Sequence, residues 1–199
     1  MNLKTFFNGI ALFIGLGLAA YSQFNNNSQR EVRSVPSHSN QSLKPAAVEQ
    51  RLEFEVFQLK PNSIYDGDTL RVIRNTEELK IRFCGIDAPE KKQPLGIEAR
   101  DHLRSLASIN NGELWLIPIE KDRYGRTVAE VYVRDSKDTA INLNLQMVRD
   151  GYAWHYERYS GNCPTKDEYA IAERLAREEG LGIWNGNPQP PWLYRKANK

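Results

Sequence analysis

The chain has 199 residues, enough for one domain with extensions at its ends. Its hydrophobic share of 40% and charged share of 26% are ordinary for a soluble globular protein. The net charge of +2 excludes nucleic-acid recognition by bulk charge alone, so a nucleic-acid binder of this composition must place its Lys and Arg locally.

The N-terminus has the pattern of an export signal. Lys4 supplies a positive charge, residues 6–21 are nearly all apolar, and Ala20-Tyr21-Ser22 offers small residues at the positions that a signal peptidase reads. The apolar run is shorter than the roughly 20 residues that a spanning helix needs. Residues 1–22 are therefore predicted to be a signal peptide or an uncleaved N-terminal membrane anchor. The product is predicted to be exported, whether secreted, periplasmic or anchored by residues 6–21.

Residues 23–50 are predicted to form a disordered linker. The stretch from Asn25 to Ala47 is rich in Asn, Ser, Gln and Pro and has few apolar residues, so it cannot bury a core. The folded domain is predicted to span residues 51–196, after this linker.

The chain has two cysteines, Cys84 and Cys163. In an exported protein such a pair suggests a disulfide, which would close a long loop and contribute about 4 kcal/mol by the chain-entropy model. The alternative is a buried thiol at Cys84 and an unrelated loop thiol at Cys163. Both interpretations stay open on the sequence.

Three strands are predicted at the start of the domain. Apolar and polar residues alternate from Leu52 to Leu59, which is the pattern of a half-buried strand. Asp66-Gly67 is a tight-turn signal, and a second strand follows at residues 70–73. A third strand is predicted from Leu79 to Ile86.

The remainder of the domain mixes helices and strands. Gly151 marks a helix end, and Thr165 with an acidic first turn marks a helix start. Five antiparallel strands interrupted by a helix suit an α+β fold, a five-stranded OB-type β-barrel with about three helices. The predicted elements are a helix over 97–109, a strand over 114–119, a charged turn over 122–126, a strand over 127–134, helices over 142–151 and 165–180, and a Pro/Gly-rich tail over 184–192.

Residues 66–90 contain an unusual concentration of acids. Its motifs place four carboxylates, Asp66, Asp68, Asp87 and Glu90, together with Arg82 within about two strand lengths. Clustered like charges repel, so a bound cation or a catalytic task would account for them. The alternative is that Asp66 and Asp68 are ordinary turn residues and that Asp87 is a strand-end cap.

Several short motifs then occur in a fixed order. They are Asp66-Gly67-Asp68-Thr69, Ile81-Arg82, Gly85-Ile86-Asp87-Ala88-Pro89-Glu90, Gly96-Ile97-Glu98-Ala99, Asp122-Arg123-Tyr124-Gly125-Arg126, Arg149-Asp150-Gly151-Tyr152-Ala153 and Gly182-Ile183-Trp184. Together they resemble the staphylococcal (thermo)nuclease family, as an SNase-like domain of an exported bacterial nuclease, and the resemblance covers essentially residues 51–192. The family's fold is an OB-type barrel with helices, in agreement with the pattern of elements.

The resemblance implies a metal site and its ligands. Asp68, Asp87 and the carbonyl of Ala88 would hold one Ca²⁺ ion, because hard oxygen ligands suit that cation. The family often has Thr at the position of Ala88, and the change to Ala keeps the carbonyl.

The resemblance also implies catalytic and phosphate-binding residues. Glu90 would be the general base, or the group that orients the attacking water. Arg82 and Arg126 would clamp the phosphate and assist the transition state, since a guanidinium matches phosphate oxygens and stays charged. The alternative for both arginines is surface ion pairing with nearby acids.

Four further residues are candidates for substrate binding. Arg123 and Tyr124 match positions that hold the terminal phosphate of a bound nucleotide in the family, which commonly has Lys where this chain has Arg123. Tyr156 and Tyr159 are candidates for stacking on a base, with ordinary packing as the alternative.

The sequence therefore predicts a calcium-dependent nuclease. It would hydrolyse DNA and RNA with low sequence specificity, favour single strands and leave 3′-phosphates. No protein partner is implied and a monomer is expected. The alternatives are a non-catalytic nucleic-acid-binding module of the same fold and a Ca²⁺-stabilised structural domain. The binding module predicts gaps in the catalytic set, and this sequence has none.

Overall fold

The computed structural model describes residues 53–198. The predicted signal or anchor over 1–22 and the predicted linker over 23–50 lie outside the described residues and stay predictions. Within the described range, none of the helices combines the length and the apolar character that a membrane crossing requires.

Eight strands and four α-helices make up the described domain. Three short 3₁₀ turns connect them, at Ile109–Gly112, Glu157–Tyr159 and Gly182–Trp184. The strands are β1 (Glu55–Leu59), β2 (Thr69–Arg74), β3 (Glu77–Phe83), β4 (Ile86–Asp87), β5 (Glu113–Lys121), β6 (Thr127–Arg134), β7 (Ala140–Asn142) and β8 (Trp154–His155), and the helices are α1 (Gly96–Ala107), α2 (Leu143–Arg149), α3 (Lys166–Glu178) and α4 (Pro191–Ala197).

The α+β fold with a five-stranded barrel is confirmed. The strand order is β3-β2-β1-β5-β6, and β3 also pairs with β6, which closes the sheet on itself. The closing pair is parallel, with Arg82 opposite Val128. The expectation of purely antiparallel strands is therefore wrong at this seam. The strand patterns along the chain could not show it, because pairing direction between distant strands is a property of the closed barrel.

Alternating apolar residues of these strands fill the barrel. Their side chains are fully buried because successive residues of a strand face opposite sides of the sheet. The core is extended by α1 and α2, which contribute Ala99, Leu103, Ala107, Leu143 and Met147 to the same cluster as Leu70, Val72, Ile81, Leu114, Leu116, Val131 and Val133.

Two buried polar side chains fasten the helices to the barrel. The Asn144 amide of α2 donates to the carbonyls of Cys84 and Ala129 and accepts from the Val131 amide. Buried Glu130 of β6 accepts hydrogen bonds from the Thr165 amide and hydroxyl and from the Tyr169 hydroxyl at the start of α3. Each polar group is satisfied, so its burial is compatible with stability.

The C-terminal end differs from the prediction. Residues 184–192 were expected to be a Pro/Gly-rich tail, and the third predicted helix was the last. The structure instead has a fourth helix, α4, which begins within that stretch at Pro191. Proline is favourable in the first turn of a helix, because its missing N–H needs no partner there and its φ is already helical.

Cys84 and Cys163 form a disulfide with an S–S distance of 1.98 Å. Both residues are buried. The bond joins the end of β3 to the loop before α3. The alternative of two unrelated thiols therefore does not hold in this structure.

We expect removal of the disulfide to lower the free energy of unfolding by about 4 kcal/mol, because the bond closes a loop with a sequence separation of 79. The measurement is denaturant unfolding of the oxidised protein and of the Cys84→Ala/Cys163→Ala double variant. Reductant should lower the midpoint of the unmodified chain and leave that of the double variant unchanged. A shift in the double variant would show that the reductant acts elsewhere.

Candidate active site

The site begins at the turn between β1 and β2. A Cβ atom on Gly67 would lie 2.8 Å from the Ala88 Cβ and 2.9 Å from the Ala99 Cβ. Only glycine lets this turn lie so close to the end of β4 and to α1. The close approach places Asp68 beside the chain that follows Asp87.

Asp68 is nearly buried, with 6% of its surface exposed. Its Oδ2 accepts a hydrogen bond of 2.7 Å from the Ala88 amide. Its Oδ1 accepts one of 3.1 Å from the Thr69 hydroxyl. The predicted metal ligands Asp68, just before β2, and Ala88, just after β4, are thus joined by a direct hydrogen bond.

Arg82 of β3 links the two aspartates. Its Nη1 lies 3.2 Å from Asp68 Oδ1 and its Nη2 lies 2.9 Å from Asp87 Oδ1. Nη1 also donates to the Phe83 carbonyl. In this structure the predicted phosphate clamp is therefore paired with the predicted metal ligands, and only 15% of its side chain is exposed.

The burial of these carboxyl groups changes their acidity. Burial raises the pKa of Asp87 to about 6; a hydrogen bond from Arg195 opposes that rise, and the neighbouring charge of Asp68 adds to it. Burial and the same charge raise the pKa of Asp66 to about 7. For both groups the main cause is burial, which disfavours the charged form of a carboxyl group.

Glu90 lies at the rim of the cluster and pairs with Arg195, a residue that no sequence motif indicated. The Arg195 guanidinium of α4 donates to Glu90 Oε1 at 2.7 Å and to Asp87 at 2.8 Å through Oδ2 and 3.2 Å through Oδ1. Arg195 is 105 positions from Glu90 and follows a stretch interpreted as a tail. The two prolines before Trp192 were the one local signal of a helix start there.

Arg126 lies in the turn between β5 and β6, and its side chain does not contact the carboxylates of Asp68, Asp87 or Glu90. Its Nε lies 2.7 Å from Asp122 Oδ2. Among residues 53–198 no hydrogen bond or ion pair joins Arg126 to Asp68, Asp87 or Glu90. Arg126 lies two residues before Val128, which is opposite Arg82 in the parallel pairing of β3 and β6. The Arg126 backbone therefore lies close to the part of β3 that carries Arg82.

The predicted phosphate-binding pair sits in the same turn. Arg123 donates to the Tyr124 hydroxyl at 2.8 Å, and its guanidinium lies 4.8 Å from the centre of the Tyr124 ring. The Arg126 guanidinium lies 5.6 Å from the same ring. Arg123 and Tyr124 are exposed at the tip of the hairpin, whereas the Arg126 side chain is only 23% exposed.

The two candidate stacking tyrosines have different surroundings. The Tyr156 ring is parallel to the Trp192 ring of α4, with centroids 4.8 Å apart. Tyr159 meets Tyr156 edge-on and is 59% exposed. One face of Tyr156 is thus covered by the protein itself, whereas Tyr159 has a ring open to solvent.

The residues present fit a hard divalent cation. Asp68 and Asp87 lie on one guanidinium, so their carboxylate oxygens converge on the same small region. Carboxylate and carbonyl oxygens are the ligands that Ca²⁺ prefers. In the part of the chain that the structure describes, no group of three or more His, Cys, Asp or Glu side chains is arranged to hold a metal by itself. An ion here would therefore need the Ala88 carbonyl, water or substrate oxygens as well.

Comparison with known proteins agrees with this arrangement. A family model described as staphylococcal nuclease homologue matches residues 80–186. A micrococcal nuclease of Shigella flexneri is 39% identical over 141 residues, which cover 68% of this chain and 79% of that protein.

Two more relatives bear similar names. A protein of Escherichia coli O157:H7 named as an uncharacterized endonuclease is 36% identical over 133 residues, covering 66% of this chain and 80% of that protein. The staphylococcal-like nuclease CAN1 of Arabidopsis thaliana is 34% identical over 164 residues, covering 79% of this chain and 47% of that protein. The range of the family model, residues 80–186, includes Arg82, Asp87, Glu90 and Arg126.

We expect Gly96→Ala to destabilise the domain by about 1–3 kcal/mol, the range for overpacking. A Cβ atom at Gly96 would overlap the Glu90 carbonyl group and lie 2.7 Å from its carbon, so the segment that carries Glu90 must move. Gly161→Ala is the matched control, because a Cβ atom there meets nothing within 4 Å. Thermal unfolding measures both variants, and equal stability of the two would contradict the packing argument.

Proposed function

Because the chain belongs to the staphylococcal nuclease family, we propose that it is a nuclease that hydrolyses phosphodiester bonds of nucleic acids. One observation carries the proposal. Asp68, Arg82, Asp87 and Glu90 lie in a single hydrogen-bonded cluster, at positions that match the family's motifs. In finer detail, we propose dependence on one Ca²⁺ ion, action on DNA and RNA with low sequence specificity, a preference for single strands, and 3′-phosphate products.

Asp68, Asp87 and the Ala88 carbonyl would hold the ion. When bound, the ion would supply positive charge to the phosphate oxygens, where negative charge grows during the reaction. The donor set supports this assignment, since it consists of hard oxygens around two nearly buried carboxylates.

Glu90 is the proposed base. Its side chain is 38% exposed, so water and substrate can reach it. It would take a proton from a water molecule as the water oxygen forms a bond to phosphorus and the bond from phosphorus to the 5′ oxygen breaks. The products are a 3′-phosphate and a 5′-hydroxyl, and the 5′ oxygen receives a proton from solvent.

The arginines are the proposed phosphate ligands. Arg82 projects from β3 into the carboxylate cluster, and two of its nitrogens already lie at acceptor oxygens. To bind a phosphate, Arg82 would release an aspartate oxygen and donate to a phosphate oxygen in its place, so its guanidinium would keep an anionic partner. Arg126 would approach from the hairpin after leaving Asp122, and its role would be to stabilise the transition state and the leaving oxygen.

The proposed substrate surface extends away from the cluster on two sides. Arg123 and Tyr124 on the hairpin tip would bind a terminal phosphate, and Tyr159 offers an open ring for stacking on a base. Tyr156 could contribute only the ring face that Trp192 leaves free. We further propose that the protein acts as a monomer in an exported compartment, a location motivated by residues 1–22.

We expect Glu90→Gln to lower kcat by about 10²–10⁴-fold, the usual contribution of a general base, because an amide cannot accept the proton. The measurement is the cleavage rate of a labelled single-stranded DNA at saturating Ca²⁺. Glu53→Gln is the control, since it makes the same change at an exposed position. Full activity of Glu90→Gln would remove Glu90 from the reaction.

We expect a calcium chelator to abolish plasmid and RNA degradation and added Ca²⁺ to restore it. End-group analysis of the products should find 3′-phosphates and 5′-hydroxyls. Degradation that continues under chelation would contradict the metal assignment. Nucleic-acid binding without hydrolysis under any divalent ion would favour a binding module of the same fold.

A further inference from the structure

Arg195 lies at the centre of the proposed active site but has no part in the reaction proposed above. It projects from α4, at the far C-terminal end of the described chain, and its guanidinium spans Asp87 and Glu90. The two oxygens of Asp87 and one of Glu90 accept from it, at 2.7–3.2 Å. The two acids that it joins are the proposed metal ligand and the proposed base.

The helix that carries Arg195 is positioned by contacts that do not involve the guanidinium. The Trp192 ring stacks on Tyr156 at an interplanar angle of 6° and meets Trp154 edge-on at 6.5 Å. Buried Gln93 donates its side-chain amide to the Gln189 carbonyl, just before the helix. Aromatic packing and a separate hydrogen bond therefore hold α4 against the site. These contacts place Arg195 beside the two acids.

The occupied oxygens create a conflict with the proposed chemistry. Asp87 Oδ2 has Arg195 as its hydrogen-bond partner, and Oδ1 is shared between Arg195 and Arg82. A divalent cation at Asp87 would sit within a few ångströms of the Arg195 guanidinium, where two positive charges repel strongly in a partly buried site. Glu90 also cannot take a proton from water efficiently while its carboxylate is neutralised by the same guanidinium.

We propose that Arg195 is a resident counter-cation of the active site. It neutralises Asp87 and Glu90 through the contacts described above, and a divalent cation that binds to Asp87 displaces it. The inference rests on the proposed function, because it takes Asp87 as a ligand of the ion. Its side chain is 41% exposed, so the displaced guanidinium has open solvent to move into without unfolding the helix.

Displacement has a measurable consequence in the absence of substrate. Two cations that compete for one carboxylate are negatively coupled, and such coupling typically changes an affinity by about 5–150-fold. Removing the guanidinium should therefore strengthen Ca²⁺ binding, whereas a purely structural role for Arg195 would weaken it or leave it unchanged.

The test is calorimetric titration of Ca²⁺ into the full chain without nucleic acid. We expect Arg195→Ala to lower the Kd for Ca²⁺ by about tenfold. Arg195→Lys should fall between this variant and the unmodified chain, since one ammonium cannot bridge both acids as the guanidinium fork does. Lys196→Ala is the matched control. It removes the same charge from the adjacent position of α4, where the residue is exposed and, within residues 53–198, makes no ion pair.

Thermal unfolding in chelator, run on the same samples, shows that each variant is folded. A Kd for Arg195→Ala equal to or weaker than that of the unmodified chain would overturn the inference, and so would an equal gain in affinity for Lys196→Ala. A separate measurement of nuclease activity distinguishes failure of the role of Arg195 from failure of the metal assignment. Calcium-dependent cleavage with unchanged Kd values overturns the role of Arg195 alone, whereas absence of Ca²⁺ binding in every variant overturns the metal assignment and the inference together.

Discussion

The sharing of one guanidinium by Asp68 and Asp87 is the interaction on which the rest of the site depends. Burial, followed by the charge of Asp68, raises the pKa of Asp87, although Arg195 and Arg82 oppose the rise. Each acid therefore depends on a neighbouring guanidinium to keep its charge at low cost. Arg82 serves both aspartates, and Arg195 supplies a second guanidinium to Asp87 and to Glu90.

The scaffold around this cluster is rigid where the chemistry requires it. The chain between β3 and β4 is held by the disulfide at Cys84, by the Asn144 amide and by the pairing of Asp87 with Trp154 across β4 and β8. Glu90 follows on a segment packed against Gly96 of α1. Residues that must hold a fixed geometry are thus carried by strands and tight turns, whereas Arg126, Arg123 and Tyr124 lie on the turn between β5 and β6, which Asp122 closes through hydrogen bonds to Tyr124 and Arg126.

The C-terminal helix α4 contacts both the proposed stacking residue Tyr156 and the proposed catalytic acids. Trp192 covers one face of Tyr156, and Arg195 three residues later contacts the catalytic acids. A nucleotide base that stacked on the covered face of Tyr156 would have to displace the tryptophan, and an ion at Asp87 would have to displace the arginine. The aromatic contact to Tyr156 and the ion pairs to the acids thus belong to one short helix, α4.

The amino-acid sequence by itself determined the motifs, the strands of the barrel, its α+β class and the identity of the acids. These follow from local patterns, since Asp66-Gly67-Asp68-Thr69 is a turn followed by a strand, and alternate residues of β6 are buried. The pattern of β1 gave the strand but not its buried side, because Phe57 is buried whereas Phe54 and Val56 are exposed. Other features were decided only by the tertiary structure. The parallel closure of the barrel, the occupation of Asp87 by Arg195 and the covering of Tyr156 by Trp192 each join segments far apart in the chain. No periodicity or local motif encodes such contacts, because they exist only once the barrel has closed and α4 has packed against it.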